Sequence, residues 1–338
     1  MLEKFIARLV AGQGLSEAEA HEAMGAIMAG QTTDAQIAGF LVALRIKGET
    51  VAEIAGCALA MREAATRISV GGLDVVDTCG TGGTGKGTFN VSTAAALVAA
   101  GAGVPIAKHG NRGATSHCGS ADVLQALGVN IEAEPAVVER CIREAGIGFL
   151  FAPALHKAMK YAIGPRRQLG VRTVFNILGP LTNPAGARRQ VVGVASAALV
   201  EPIAGVLKRL GSRRAMVVHS DDGMDEISIC DRTLAARLDA ESIDIVALTP
   251  EDVGLERAAR SEIAAADAAQ SVKAIHSVLA GEKGARRDIV LLNAGAAVWA
   301  GGKADSLTEG VAAAAESVDS GRAQAALERL VRLSNEPA

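Results

Sequence analysis

The chain holds 338 residues, 49% apolar and 21% charged, which calls for a well-filled globular core in one large domain, or one large and one small. A net charge of −3 gives no overall basic field for duplex nucleic acid, and an aromatic share of 2% leaves few platforms for stacking single-stranded bases. Five cysteines, an odd number with no C-x-x-C pair, argue against a disulfide framework or a zinc site, and no purely apolar run of about 20 residues marks a membrane span.

The opening MLEKFIARLV mixes Glu3, Lys4 and Arg8 with apolar residues, as an amphipathic helix does and a signal peptide does not, so a cytoplasmic, reducing location is expected. Residues 1 to about 67 read as four helices. Ser16 with Glu19 and Thr50 with Glu53 have capping-box spacing, and Gly30 and Gly48 fall just past helix ends. Ile37, Phe40, Leu41 and Leu44 recur at helical spacing. This part carries no catalytic constellation.

The chain then passes through Gly71 and Gly72, without a linker, into an alternation of strand and helix. Strand-like segments read VVDT, VPIAK, GFLFA, VVGVA, AMVVH and EISIC. Helices are expected from Ser92, near Ala121 and Pro135, from Leu199 to Leu210, and finally from about Ile263 and about Asp288. The expected fold class is α/β: a small all-helical domain over 1–70 and a large α/β domain over 71–338, with a central, mostly parallel sheet flanked by helices. Residues 156–184 are basic, helical in parts, and broken by Pro165 and by Gly179-Pro180.

The richest stretch runs from Asp77 to Leu127. Between Asp77 and Asp122 it has no Asp or Glu, yet it carries Lys86, Lys108, Arg112, His109, His117 and many glycines. A glycine-rich, hydroxyl-rich, basic segment without carboxylates suits a polyanion, because close backbone supplies N–H donors beside the lysines. Gly80, Gly82 and Gly85 spell G-x-G-x-x-G, but the acid that a dinucleotide fingerprint needs about 20 residues on is missing. Gly80 to Lys86 fit G-x-x-x-x-G-K, but Gly87 stands where a P-loop has Ser or Thr. The remaining pattern is a pyrophosphate and ribose-phosphate site spread over several turns. Asn90, Ser92 and Thr93 open a helix whose N–H groups Ser92 or a neighbour would cap, and Lys108 and His109 enter a second glycine turn. Ser116, Gly119 and Ser120 then lead into a third helix.

After AMVVH comes HSDDGMDE, with Asp221, Asp222, Asp225 and Glu226 in six residues. Residue types alone leave a solvated acidic turn beside a Mg²⁺ site. The loop's place at a strand end, next to a phosphate-type site, favours metal.

GTGG, TFNVST, KHGNR and the turn Ser116, Gly119-Ser120-Ala121-Asp122, in that order and spacing, resemble the signature of the anthranilate phosphoribosyltransferase family. Later segments match too, so the resemblance covers nearly the whole chain. It implies the nucleoside phosphorylase/phosphoribosyltransferase type of fold, with the small domain completed by part of 156–184. It also implies Mg²⁺-dependent transfer of phosphoribosyl from PRPP to the anthranilate nitrogen in tryptophan biosynthesis, and a homodimer formed through the helical domain.

For PRPP the resemblance implies Gly80, Gly83, Thr84, Thr88, Asn90, Val91, Ser92 and Thr93 in the first segment. In the second it implies Lys108, His109, Gly110, Asn111, Arg112, Gly113, Ala114, Thr115, Ser116 and Ser120. It assigns Gly80, Asn111 and Arg166 to anthranilate, and Ser92, Asp225 and Glu226 to Mg²⁺. His109 is the nearest candidate to assist the amine, with an orienting or packing role as the alternative. Three residues depart from the family pattern: Thr84 for Asp, Thr115 for Ser, and Lys157 for Pro. Rival readings are a pyrimidine nucleoside phosphorylase, which would not need the Asp225-Glu226 loop, and a non-catalytic nucleic-acid-binding relative, which would show a basic surface.

Overall fold

The computed structural model describes residues 2–82, 87–113 and 118–337. Four helices open the chain: Glu3–Val10, Glu17–Met28, Asp34–Lys47 and Val51–Glu63. The expected capping boxes at Ser16 and Thr50 are present, and a third at Thr33 uses the Gln36 amide in place of a carboxylate. Glu53 does more than cap. Its buried carboxylate also accepts the Leu15 N–H at 2.9 Å and the Lys47 ammonium at 2.8 Å, and so ties three segments together. Gly48 closes its helix at φ 88°, a conformation that costs a side chain dearly.

Seven strands form one sheet: β1 (Val76–Gly80), β2 (Ile106–Gly110), β3 (Ile147–Phe151), β4 (Arg189–Gly193), β5 (Arg214–Ser220), β6 (Thr233–Asp239) and β7 (Ser242–Leu248). Their order is β3-β2-β1-β4-β5-β6-β7. The first five pair in parallel, and β6 and β7 extend the sheet as an antiparallel hairpin.

Period-two alternation divides the strand residues between two cores. Val191, Met216, Val218 and Ala235 face helices Val91–Gly101 and Ala285–Ala300. Val192, Val217, Ala236 and Leu238 face the opposite way and share a core with the N-terminal helices, with Val200–Arg209, and with Ala162, Phe175 and Leu178.

Four expectations are corrected. EISIC is not a strand. Its alternating Ile227 and Ile229 are buried in the core, but side chains hold the backbone where ladder partners would: Asn293 Oδ1 accepts from Ile227 N at 3.0 Å and Thr233 Oγ1 from Ser228 N at 3.0 Å. The strands are β6 and β7 instead, and β7 lies at the edge with Ile245 exposed, so its burial pattern is faint. The fold does not end with the helix containing Asp288, since Leu307–Asp319 and Arg322–Ser334 follow. Ile263 closes a single 3₁₀ turn, Arg260–Ile263, and the helix expected there begins at Ala268. Pro165 does not break its helix either: Lys160–Leu169 runs through it and stops at Gly170, φ 63°.

Candidate active site

The strand order reverses direction at β1, whose neighbours are β2 on one side and β4 on the other. Loops leaving the C-terminal ends of such strands diverge and open a crevice. Two cavities lie there. One, of about 310 Å³, is lined by Gly80, Asn90, Ser92, Lys108, His109, Gly110, Asn111, Arg112, Gly113, Ser120 and Asp225, all predicted from sequence. The other, of about 330 Å³, is lined by His109, Asn111, His156, Arg166 and Phe175, with Met61 from the fourth helix. His109 and Asn111 belong to both walls.

Backbone and buried charge build the first cavity. Asp77 in β1 is fully buried: Oδ1 accepts from His109 N at 3.0 Å and Oδ2 from Asn183 Nδ2 at 2.8 Å. Asn183 Nδ2 also donates to Ala107 O at 2.8 Å, so one carboxylate and one amide lock β2 to β1 where the turn begins. Burial pushes the Asp77 carboxyl up, against the pull of Asn183 and Lys108, and burial pushes the Lys108 ammonium down. The Lys108 ammonium, 2% exposed, donates to the Thr78 carbonyl and lies 3.4 Å from Ser92 Oγ. It therefore braces Ser92 as well as charging the cavity wall.

Ser92 sits one residue inside the helix Val91–Gly101. Its N-cap is Asn90, whose side chain makes no cap bond, contrary to the expected cap; the Glu226 carboxyl takes the Ser92 N–H instead. The Val91 and Thr93 side chains are fully buried and stand behind the cavity. Thr88 bridges Ala264, and Phe89 N donates to Ile263 O at 3.1 Å. On the facing turn, Arg112 pairs with Asp122 at 3.0 Å, and Asp122 Oδ2 accepts from Gly113 N at 3.0 Å and Gly119 N at 2.8 Å. Gly83, Thr84, Lys86, Ala114, Thr115, Ser116 and His117 lie outside the described residues.

The four acids after β5 divide into two pairs. Asp221 binds Arg232 at 2.8 Å, and Asp222 accepts from Ser220 Oγ at 2.6 Å and Ser228 Oγ at 2.8 Å. Those two shape the loop. Asp225 and Glu226 point back to the sheet and, with Ser92, border a small cavity of about 40 Å³. Asp225 Oδ2 accepts from Gly82 N at 2.9 Å. A Cβ on Gly80 would strike the Asp225 carboxylate and one on Gly193 its backbone, so both strand ends need glycine. Burial first, then Asp225, raises Glu226 to about 8, against the Ser92 backbone N–H that favours its charged form.

The second cavity carries Lys157, Lys160 and Arg166 and, among the described residues, no acid, and its two imidazoles stay neutral. His109 is held to about 3 by burial, with His156 adding to the shift, and His156 to about 4 by burial. Their ring centroids are 5.1 Å apart. His109 Nδ1 lies 3.2 Å from Gly179 O, which assigns the proton to Nδ1 and leaves Nε2 as an acceptor. Neither Nε2 has a partner among the described residues. Arg166 is half-buried, with its guanidinium 5.0 Å from the Phe175 ring centre, while Arg167 is exposed.

Asp77, Asn183, His156 and Gly193 were not assigned from sequence. Only Asp77 had a signal, as the last acid before a long stretch without one.

The helical-bundle domain of the glycosyl transferase family matches residues 3–65, and the a/b domain of that family matches residues 72–324. The anthranilate phosphoribosyltransferase of Geobacter sp. strain M21 is 54% identical, with 99% of each chain covered. The crystal structure of anthranilate phosphoribosyltransferase from Thermus thermophilus superposes with a TM-score of 0.93 at 47% identity, covering 98% of this chain and 99% of that one. The Saccharomyces cerevisiae enzyme in complex with PRPP and Mg superposes with a TM-score of 0.88 at 28% identity, covering 98% and 97%.

Proposed function

The chain belongs to the anthranilate phosphoribosyltransferase family, and from that premise we propose which of its residues carry each part of the reaction. It transfers phosphoribosyl from PRPP to the anthranilate nitrogen, giving N-(5-phosphoribosyl)anthranilate and pyrophosphate, in tryptophan biosynthesis. The observation that carries the assignment of roles is the pair of adjoining cavities that share His109 and Asn111, one holding Lys108, Arg112 and Asp225 among glycine turns, the other holding Arg166 among apolar side chains.

PRPP takes the 310 Å³ cavity. The turns at 80–82, 90–93 and 110–113 surround its phosphates, with Lys108 behind Ser92 and Arg112 at the rim. Mg²⁺ fits the remaining donors. Ser92, Asp225 and Glu226 offer only oxygen, and among the described residues no three His, Cys, Asp or Glu side chains gather into a closed metal cluster. Mg²⁺ takes one or two carboxylates plus phosphate oxygens. When bound it neutralises the leaving pyrophosphate.

Anthranilate takes the 330 Å³ cavity. Arg166 pairs its carboxylate, Asn111 lies on the side facing PRPP, Gly80 borders the neighbouring PRPP cavity, and Met61, Ile163 and Phe175 supply apolar walls. The amine is uncharged at neutral pH and attacks C1 directly, breaking the bond to pyrophosphate. His109 Nε2 accepts an amine hydrogen bond and orients the lone pair. Preorganised donors on the leaving group provide the larger share of the rate, and in-line placement of the amine provides much of the rest.

The same reading divides the chain into a small domain, 1–70 with part of 156–184, and a large domain, 71–338. It makes the protein a cytoplasmic homodimer joined through the helical domain, where Val10 and Ile46 are 73% and 82% exposed. Loss of anthranilate fluorescence on adding PRPP and Mg²⁺ tests the reading. No loss with PRPP, or equal loss without it, overturns it.

A further inference from the structure

The segment after the acidic pair has no strand to lie against. Side chains do that work, and at Ile227 it is one from a distant helix. Asn293, in Ala285–Ala300 and 6% exposed, accepts from Ile227 N with Oδ1 at 3.0 Å and donates to Ile227 O with Nδ2 at 2.8 Å. Its second N–H goes to Ile289 O of its own helix at 2.8 Å, so the amide's donors are both engaged and its direction is fixed. Asn293 also borders the 40 Å³ cavity shared by Ser92, Asp225 and Glu226.

We propose that Asn293 is a positioning residue that aims the Asp225-Glu226 carboxylates at the cation and pyrophosphate. The peptide unit is planar, so holding Ile227 N–H fixes the plane that begins at Glu226 and with it the direction of the Glu226 side chain. Upstream, the pair is already fixed by Gly82 N and by close contact with Gly80 and Gly193. Downstream, Asn293 is the matching restraint. Packing alone does not require it: Ile227 is 1% exposed, and its side chain would stay in the core beside any apolar neighbour. Burying an amide is costly unless every group is paired, and here the pairing supplies direction to one peptide plane.

The proposal rests on the assignment of Asp225 and Glu226 to metal, and the test separates the two. The full chain is titrated with Mn²⁺ in the presence of inorganic pyrophosphate, with free Mn²⁺ read by electron paramagnetic resonance. Anthranilate binding is read separately by fluorescence. Asn293→Leu keeps the volume and removes the amide; Asn293→Ser leaves one hydroxyl to hold Ile227. Metal-supporting partners typically change affinity by about 10- to 100-fold, so Asn293→Leu is expected to weaken Mn²⁺ about tenfold, with Asn293→Ser between it and wild type. Anthranilate affinity stays within about twofold, and in an Asp225→Asn/Glu226→Gln background the Asn293→Leu change adds less than about twofold. Unchanged Mn²⁺ affinity in both Asn293 variants overturns the proposal while leaving the metal assignment standing. Failure of both to fold also overturns it, because the amide would then serve the fold. Wild-type Mn²⁺ affinity in Asp225→Asn/Glu226→Gln removes the metal assignment itself.

Discussion

The cavity at the ends of β1 and β2 is walled by backbone, Asp225 and buried Lys108, with buried Asp77 bound to His109 N and Glu226 in the small cavity beside it. Its neighbour is walled by helices, two imidazoles that stay neutral, Lys157, Lys160, one half-buried arginine and apolar side chains. On the proposed reading the first receives a ligand whose negative charge rises as the bond to pyrophosphate breaks, so it needs fixed charges in a rigid frame. The second would receive a flat ring with one carboxylate and an uncharged amine, so a cation is needed for the carboxylate and neutral groups beside the amine. The sheet supplies rigidity for the first, and the helices supply shape for the second.

The strongest way to break this contrast is to neutralise the charged side. Asp225→Asn/Glu226→Gln is expected to lower kcat/KM on the order of 100-fold at limiting Mg²⁺, with partial recovery at high Mg²⁺. A Mg²⁺ dependence like wild type would return the loop to a solvated acidic turn. Lys108→Ala removes a buried cation that contacts Thr78 and Ser92. A hydrogen bond to a charged group is worth about 1.5–3 kcal/mol, so PRPP affinity is expected to fall by about 10- to 100-fold while anthranilate affinity changes less. Isothermal titration of each substrate checks this.

In the second cavity, Arg166→Ala is expected to raise the anthranilate KM about tenfold, with a smaller effect on PRPP, because its fork no longer pairs the carboxylate. Arg167→Ala, exposed, stays within about twofold, as single surface changes do. Equal effects from the two would move the acceptor site elsewhere.

A last effect, on stability and not on binding, concerns the imidazoles. Their folded values, about 3 and about 4, lie below the usual value of about 6.5 for an unfolded chain. Their contribution to stability is therefore complete above about pH 6.5 and is lost as pH falls toward 4 and then 3, by at most about 1.4 kcal/mol per pH unit for each ring. Urea unfolding of His156→Gln between pH 6.5 and 5 should show a shallower decline than wild type. An identical slope would mean that burial does not hold the ring neutral.

Much of the charged cavity was legible in the sequence, because its residues come in short runs whose types state their chemistry. GTGG, TFNVST and KHGNR are each contiguous, and so is the acidic loop. What escaped came from partners far apart in the chain. Asn183 reaches Asp77 across 106 positions, and a lone Asn in LTNP carries no local mark of that. Gly193 reads as one glycine in a strand until Asp225 lies against it. EISIC has a strand's alternation, but alternation reports burial of Ile227 and Ile229 and says nothing of which groups pair the backbone. The division of the four acids was also invisible, since Asp222 differs from Asp225 only in having Ser220 and Ser228 beside it.

On the proposed assignment of substrates, the wall that both cavities share has a thermodynamic consequence. His109 and Asn111 cannot shift toward one substrate without changing what they present to the other. Occupancy of either site is thus coupled to affinity at the other, and thermodynamic linkage makes that coupling equal in both directions. The apparent Kd of PRPP then depends on how much anthranilate is present, and the reverse holds by the same factor. A chain with short side chains at both 109 and 111 would bind its two substrates more nearly independently.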